Sequence, residues 1–378
     1  MIDPLDLAIC TQDAGPGAAP PIAQIALFHF PDFESLAAGL EDEFSHRVYG
    51  RGRNPTVEIF EDLIAALERA EAAKAFASGM GAMSAILHGL LSGGDHILLV
   101  NQTYGPILQL ADELARLGIE HDRLLDTGPA SVERALRPNT KLIWIESPGT
   151  MTFRIVDIAS VAAMARSRGV ITVVDNSWAT PLFQKPIPLD ADLVVHSCSK
   201  YIGGHGDVLG GVAAGSRRLI EAIFAKAFML NGATPSPFDA WLLIRSLRTL
   251  PIRMAKHESD ALEVARYLLG HEAVRAVHHP LLACKDGAPP TPLRGTSGLF
   301  SFELKRDGYD DIVRTLNRLK RIKLGVSWGG FGSLAITPQR RDNDEALAKA
   351  GLPRGLIRLS IGLEGAEALI DDLCEALA

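Results

Sequence analysis

The sequence predicts an α/β protein with a mostly parallel main sheet, an arm before it and a smaller α+β domain after it. Short apolar runs alternate with helical patterns over residues 54–245, which is typical of a parallel sheet covered on both faces. Residues 1–53 are rich in proline and glycine, and they predict an N-terminal arm that could embrace a partner subunit. A long helical stretch followed by separated strands predicts the smaller domain over residues 246–378.

The individual elements follow from the period of the apolar residues and from the glycines and prolines between them. In the arm, residues 31–45 form the predicted helix, and Asp32 is placed to cap it. In the main domain we expect helices at 58–72, 106–118 and 157–169 and strands at 95–100, 141–147, 170–176 and 192–197. In the last domain we expect helical structure over 238–270 and strands at 297–304, 324–330 and 356–363.

Lys200 is the side chain that indicates the chemistry. It closes a strand-like run at 192–200 and precedes a glycine-rich turn at 201–211, so its amine is expected in a pocket. A desolvated lysine amine loses its proton readily and can form a Schiff base with a carbonyl. Lys200 is therefore a candidate nucleophile for pyridoxal phosphate (PLP), and the alternative is a solvated lysine at the end of a strand.

Two further side chains fit a PLP site. Asp175 ends the buried strand at 170–176, and open α/β sheets bind ligands at the carboxyl ends of their strands. A carboxylate there could hold the proton of the pyridine nitrogen, although an aspartate can also begin a turn. Tyr104 follows the strand at 95–100 and could stack on the ring, or it could be an ordinary turn tyrosine.

A phosphate cradle is expected where small residues precede the apolar helical run at 77–93. Helix N-termini attract phosphate through their free amides and the helix dipole. The amides of Gly79, Met80 and Gly81 are therefore expected to face the phosphate. Ser197 and Ser199 alternate along the run that ends at Lys200, so both hydroxyls could reach the same phosphate.

Six motifs in order then resemble a known family, the Cys/Met-metabolism enzymes of PLP fold type I. They are YGRGRNPT (49–56), ASGMGA (77–82), WIESPGT (144–150), VVDNSW (173–178), SCSKYIGGHGD (197–207) and IRLSIGLE (357–364), so the resemblance covers nearly the whole chain. Within that family the chain is most similar to the bacterial cystathionine β-lyase branch. The similarity lies in the amino-acid sequences of segments 146–158, 279–285, 297–304 and 327–334.

The resemblance implies a set of roles. Lys200 would be the Schiff-base lysine and, with Tyr104, would serve in proton transfer. Cofactor-binding roles would fall to Asp175 at the ring nitrogen, Tyr104 on the ring, and Gly79, Met80, Ser197 and Ser199 at the phosphate. Tyr49 and Arg51 would reach the phosphate of a neighbouring subunit, so the site would form across a dimer, and the enzyme would be a dimer of dimers. Arg358 would bind the substrate's α-carboxylate, with Ser327 and Trp328 lining the same pocket.

The activity implied is β-elimination of L-cystathionine to homocysteine, pyruvate and ammonia, with cystathionine γ-lyase, γ-synthase and O-acyl-homoserine sulfhydrylase as alternatives in the same family. Ser199 stands where the family often has threonine, and Gly52 splits an arginine pair into Arg51 and Arg53. Gly149 and Thr150 stand where synthases and γ-lyases tend to carry asparagine and proline, which favours the β-lyase branch.

Other enzyme classes are less well supported. The segment GVSWG (325–329) matches the GxSxG pattern of a serine hydrolase around Ser327, but the residues after it predict a loop or strand instead of the required helix. The segment 79–84 nearly matches GxGxxG, with Ser84 in place of the third glycine. No HExxH motif occurs, so we expect no metal.

Composition indicates a cytoplasmic enzyme with a small-molecule substrate. The net charge is −7, with 45 acidic and 38 basic residues spread along the chain, which does not suggest a nucleic-acid or anionic-membrane surface. The first residues lack the basic start of a signal peptide, and no apolar run reaches the ~20 residues of a membrane helix. Four separated cysteines fit reduced thiols, namely Cys10, Cys198, Cys284 and Cys374.

Overall fold

The computed structural model describes residues 2–13, 17–283 and 292–378, and a seven-stranded sheet forms its centre. In chain order the strands are β1 (Ala72–Phe76), β2 (His96–Val100), β3 (Glu120–Leu124), β4 (Thr140–Glu146), β5 (Ile171–Asp175), β6 (Leu193–Ser197) and β7 (Gly211–Gly215). Across the sheet their order is β1-β7-β6-β5-β4-β2-β3. All neighbours from β3 to β6 are parallel, whereas β7 is antiparallel to β6 and β1. The predicted mostly parallel sheet is confirmed.

Helices cover both faces of this sheet because its central strands are apolar on both sides. Ile97 of β2 packs in one core cluster with Met83, while its neighbour Leu98 packs in another with Val161. The helices up to residue 247 are α1 (Pro4–Thr11), α2 (Phe33–Glu41), α3 (Pro55–Glu68), α4 (Gly79–Leu90), α5 (Gly105–Leu114), α6 (Pro129–Ala135), α7 (Ile158–Ser167), α8 (Thr180–Phe183), α9 (Arg217–Ile223), α10 (Met229–Asn231) and α11 (Pro237–Leu247). Short 3-10 turns lie at Ala115–Leu117 and Ile187–Leu189, and a π-helical turn spans Phe224–Phe228.

A second sheet of five strands follows in the order β10-β11-β12-β9-β8. Its strands are β8 (Val274–His278), β9 (Leu299–Leu304), β10 (Lys323–Leu324), β11 (Leu334–Ile336) and β12 (Leu356–Ser360). The helices of this part are α12 (Leu250–Gly270), α13 (Tyr309–Arg318), α14 (Asp344–Lys349) and α15 (Ala366–Leu377). The Trp178 indole N–H donates to the Leu299 carbonyl at 2.9 Å, so the beginning of β9 is tied to the main sheet.

Some predicted elements have different bounds. The helix expected at 58–72 ends at Glu68, because Arg69 adopts a left-handed φ of 62°, and β1 begins soon afterwards. The run at 192–200 ends as a strand at Ser197, since the Lys200 amide bonds back to the Ser197 carbonyl at 3.1 Å and forms a turn. The helical stretch at 238–270 is two helices, with Pro251 in the first turn of the second.

The arm contains the expected helix and one that was not predicted. Asp32 caps α2 by accepting from the Ser35 amide at 2.7 Å, as predicted. The added helix is α1, whose buried Asp6 forms ion pairs with Arg69 and Lys185 at 2.7 and 3.0 Å. The domain boundaries at 53/54 and 245/246 stay predictions, and the second falls within α11. Among the described residues, none of the helices is long and apolar enough to cross a membrane.

Candidate active site

A cavity of about 340 Å³ lies at the carboxyl ends of β4, β5 and β6, which finish at Glu146, Asp175 and Ser197. This is the edge where open α/β sheets bind ligands. Most of the predicted site residues line this one cavity, including Gly79, Met80, Tyr104, Asp175, Ser197, Ser199, Lys200, Ser327 and Trp328.

Lys200 reaches into the cavity from the turn after β6. Its Nζ atom donates to the Ser327 hydroxyl at 3.0 Å and lies 5.5 Å from the centre of the Trp328 ring. Burial lowers the pKa of Lys200, the positive charge of Arg358 adds to this, and the negative charge of Asp175 opposes it. A lysine with a lowered pKa holds a larger neutral, nucleophilic fraction near neutral pH.

Asp175 is buried at the end of β5. Its Oδ1 atom accepts from the Ser177 amide at 3.0 Å. Burial raises the pKa of Asp175, while the hydrogen bonds from Ser177 and the charges of His196 and Lys200 act in the opposite direction. A buried carboxyl that faces a cavity is stabilised as an anion by a cationic ligand, and a protonated pyridine nitrogen is such a ligand.

The expected phosphate cradle lies at the beginning of α4. Ser78 caps the helix by accepting from the Gly81 amide at 3.0 Å, so the expectation that the Gly81 amide faces an anion is wrong. The amides of Gly79 and Met80 precede the first intrahelical hydrogen bond, which leaves them available to a ligand. A Cβ atom at Gly79 would lie 2.8 Å from the Ser197 hydroxyl, so the helix can approach β6 this closely only with glycine.

Ser199 also faces the cavity, although not from a strand. It lies in the turn between β6 and Lys200, and its hydroxyl accepts from the Gly210 amide at 3.1 Å. The hydroxyl also donates to the Gly210 carbonyl, at a long 3.5 Å, and a ligand oxygen could take the place of this weak acceptor.

Arg358 comes from β12, and it is not one of the residues that line the cavity, although it contacts Thr150, which is one of them. Its guanidinium donates to the Val326 and Thr150 carbonyls at 3.3 and 3.5 Å. Burial lowers the pKa of Arg358, and the charge of Glu146 opposes this. These carbonyl contacts are long, so the guanidinium can exchange them for shorter bonds to an incoming carboxylate.

Tyr49 and Arg51 do not line this cavity within the chain. The Arg51 guanidinium lies 5.7 Å from the centre of the Tyr49 ring, which is 47% exposed. Arg53, the other half of the split pair, bonds to Glu58 at 2.7 Å and to the Phe44 carbonyl at 2.6 Å. The Arg53 guanidinium is therefore held by contacts within the fold, whereas Arg51 forms no ion pair with any residue that the structure describes.

Glu146 is the cavity residue that sequence reasoning missed. Its Oε2 atom accepts from the Tyr104 amide at 2.6 Å. Burial raises the pKa of Glu146 well above its usual value, and the charge of Asp175 raises it further. Its position in the sequence could have identified it, because Glu146 ends a buried strand, as Asp175 does.

The other chemistries considered find little support in the geometry. Ser327 lies in the loop between β10 and β11, so no nucleophile elbow with a following helix forms there. Across residues 2–13, 17–283 and 292–378, no group of three or more His, Cys, Asp or Glu side chains is placed to hold a metal ion. Cys10 and Cys198 are buried and Cys374 is exposed, while Cys284 and the end of the segment 279–285 lie outside the described residues.

Comparisons with known proteins decide the family. The profile of the Cys/Met metabolism PLP-dependent enzymes matches residues 11–378. The chain belongs to this family. It is 37% identical to L-methionine γ-lyase of Pseudomonas putida, over 97% of this chain and 94% of the relative. It is 35% identical to cystathionine β-lyase of Bacillus subtilis, over 97% and 93% of the two chains.

Solved structures agree with this assignment. A putative O-acetylhomoserine (thiol)-lyase from Campylobacter jejuni superposes with a TM-score of 0.90 at 28% identity, over 98% of this chain and 99% of that one, and its crystal contains N'-pyridoxyl-lysine-5'-monophosphate. The predicted fold type I architecture and the PLP cofactor are confirmed. The protein is a PLP-dependent enzyme of the carbon–sulfur lyase group.

Proposed function

We propose that this enzyme catalyses β-elimination of L-cystathionine to homocysteine, pyruvate and ammonia. The observation that carries this proposal is the position of Lys200, whose amine has a lowered pKa and lies between the Ser327 hydroxyl and the Trp328 ring. The choice of β-elimination is supported by Gly149 and Thr150, which stand where synthases and γ-lyases of the family tend to carry asparagine and proline. The Thr150 carbonyl contacts Arg358, so this segment borders the group expected to hold the substrate.

The described residues fit the cofactor at both of its ends. Lys200 would hold PLP covalently, and Asp175 would hold the ring nitrogen. Tyr104 would stack on the ring, while the amides of Gly79 and Met80 and the hydroxyls of Ser197 and Ser199 would bind the phosphate. Bound PLP supplies an electron sink for the negative charge that develops at the substrate's Cα.

Arg358 would bind the substrate's α-carboxylate through two parallel hydrogen bonds. Its planar guanidinium suits a carboxylate, and burial strengthens the attraction between the two charges. Ser327 and Trp328 follow the exposed Val326, whose carbonyl accepts from Arg358, and they would form the adjacent wall. This contact would fix the direction in which the substrate's Cα–H bond points.

Lys200 would act as the base once the substrate's amino group has displaced its amine from the cofactor. Its lowered pKa favours the neutral amine, which takes the proton from Cα. The Cβ–S bond breaks, and its electron pair leaves on sulfur, which receives a proton from Lys200 or from the Tyr104 hydroxyl and departs as homocysteine. The three-carbon fragment takes up one water molecule and ends as pyruvate and ammonia.

A second activity, γ-elimination, is favoured by two of the named relatives. One is the L-methionine γ-lyase of Pseudomonas putida, and another is the cystathionine γ-lyase of Bacillus subtilis, which is 38% identical over 87% of this chain. γ-Elimination breaks the Cγ–S bond, and its four-carbon product is α-ketobutyrate. The two activities therefore differ in a product that can be measured directly.

The test is an assay of both keto acids with purified enzyme and L-cystathionine, repeated with L-methionine. Pyruvate in equal amount to a new thiol supports the proposal, whereas α-ketobutyrate from either substrate assigns γ-elimination. The Lys200→Ala variant serves as the blank. A homotetramer and a cytoplasmic location belong to the same proposal, and light scattering of the purified enzyme tests the first.

A further inference from the structure

Glu146 stands beside Asp175 at the floor of the cavity. It is the last residue of β4, and the parallel pairing of β4 with β5 places it in register with Asp175. Both side chains line the cavity. Two neighbouring carboxyl groups at a ligand-binding edge repel each other when both are ionised. Asp175 is expected to bind the cofactor, so the presence of Glu146 beside it suggests a separate role for Glu146.

The contacts of Glu146 indicate what it does. Its Oε2 atom accepts from the Tyr104 amide at 2.6 Å, and Tyr104 is the residue before α5, where no side chain caps the helix. Burial and the charge of Asp175 raise the pKa of Glu146, while the charge of Arg358 and the Thr150 side chain act in the opposite direction. Glu146 therefore joins the loop that carries Tyr104 to the side of the cavity where Arg358 lies.

Tyr104 requires such an anchor because packing alone does not hold it. Its side chain is 44% exposed, so one side of the ring lacks protein contacts that would fix its angle. A short hydrogen bond from its backbone to a carboxyl oxygen restricts the main chain from which the ring projects. Burial of this carboxyl raises the pKa of Glu146, and the free-energy cost of burying a polar group is offset in part by the hydrogen bond from the Tyr104 amide.

We propose that Glu146 is a positioning residue, whose carboxyl group fixes the Tyr104 ring against the cofactor and couples it to the Arg358 side of the cavity. This inference rests on the role that the proposed function gives to Tyr104.

The test measures the affinity of the cofactor-free protein for PLP, together with the visible circular dichroism of the bound cofactor. Four proteins form a double-mutant cycle, namely wild type, Glu146→Leu, Tyr104→Ala and the double variant. Tyr104→Ala removes the ring and keeps the backbone amide. Glu146→Gln is the matched control, since its side-chain carbonyl has the same length and still accepts from that amide.

The expected result is that Glu146→Leu weakens PLP binding by about tenfold or more and changes the circular dichroism, while Glu146→Gln stays within about threefold of wild type. In the Tyr104→Ala background, Glu146→Leu should have no further effect. Additive effects in the cycle, or an equal loss in Glu146→Gln, would overturn the proposal. If Glu146→Leu is insoluble, Glu146→Ala takes its place in the cycle.

Failure of this inference is distinguishable from failure of the proposed function. PLP binding is measured without substrate, so an enzyme that makes α-ketobutyrate instead of pyruvate would still show the expected cycle. Conversely, an additive cycle in an enzyme that makes pyruvate would remove the role of Glu146 alone.

Discussion

The Nζ atom of Lys200 lies 3.0 Å from the Oγ atom of Ser327, and this hydrogen bond joins two distant parts of the chain. Lys200 follows the end of β6 in the main sheet, whereas Ser327 lies in the loop between β10 and β11 of the second sheet. The amine is therefore oriented by a group from outside its own sheet. The sequence suggested two roles for Ser327, as a pocket residue of a PLP enzyme or as the nucleophile of a serine hydrolase. Because Ser327 contacts Lys200, substitutions at these two residues can distinguish the two roles.

Ser327→Ala should reduce turnover by about tenfold at most, because it removes one hydrogen bond to Lys200 and leaves the amine in place. Lys200→Ala should reduce turnover by about 10³-fold or more, because it removes the Schiff-base amine and the base together. Both rates are measured as keto-acid release, with Lys349→Ala as a control at an exposed lysine. A serine hydrolase would show the opposite order, with Ser327→Ala as the inactive variant.

Gly79→Ala should weaken PLP binding by about tenfold or more. The added Cβ atom would lie 2.8 Å from the Ser197 hydroxyl and 3.1 Å from the Ser197 Cα, so the beginning of α4 must move away from β6. PLP titration of the cofactor-free protein measures the effect. Gly270→Ala is the control, because a Cβ atom there meets no other atom within 4 Å. Wild-type affinity in Gly79→Ala would show that the phosphate binds elsewhere.

Arg358→Lys should lower kcat/KM by about 10- to 100-fold, mostly through a higher KM. Lysine keeps the charge but cannot present two parallel N–H groups to a carboxylate, which removes a charged hydrogen bond. Steady-state kinetics measure the change, and Arg354→Lys is the control because Arg354 is paired with Asp344 at 3.2 Å away from the cavity. Unchanged KM in Arg358→Lys would mean that another group binds the carboxylate.

Arg51→Ala and Lys200→Ala should be inactive separately and active when co-expressed. If Arg51 completes the site of a neighbouring subunit, random pairing leaves one intact site in each hybrid dimer, or about a quarter of wild-type activity. Assays of the co-expressed protein, with each variant purified alone as a control, measure this recovery. No recovery would show that both residues serve the site of their own chain.

The site was predictable from the sequence where it depends on strand ends. Asp175 and Lys200 stand at or just after the ends of apolar runs that predict buried strands, and the parallel order brings the carboxyl ends together. Glu146 has the same position after β4, but its role depends on the Tyr104 amide, a contact across 42 residues that no local pattern contains. The family motifs did not supply this contact either.

The fold was less predictable where small residues form strands. Strand β7 is GVAAG, which has the low β-propensity of a loop. Its glycines are required by close approach, because a Cβ atom at Gly211 would lie 2.2 Å from the Ser78 carbonyl oxygen. The strand is stabilised by pairing with β1 and β6 on both sides, so its position depends on tertiary contacts that the local sequence cannot show.

Two buried histidines resist protonation and should destabilise the fold as the pH falls from about 6.5 towards 4, whereas buried carboxyls with a raised pKa, such as Glu146, act in the opposite direction. Burial lowers the pKa of His257 to about 4 and that of His279 also to about 4. Unfolding exposes both rings and returns them to their ordinary value of 6.5. Between these values the unfolded chain binds more protons than the folded one, so the free energy of unfolding rises with pH.

The expected loss is about 1.5 kcal/mol per histidine between pH 6.5 and about pH 5. Urea unfolding at fixed protein and PLP concentration, repeated at each pH, measures it. His257→Asn keeps a donor near the Nδ1 position, which contacts the Ile361 carbonyl at 2.8 Å, and it removes the titration. Its pH dependence should therefore be shallower, whereas His88→Asn, at an exposed position on α4, should leave the slope unchanged. Equal slopes in wild type and His257→Asn would contradict the assignment, because the proton uptake on unfolding would then come from other groups.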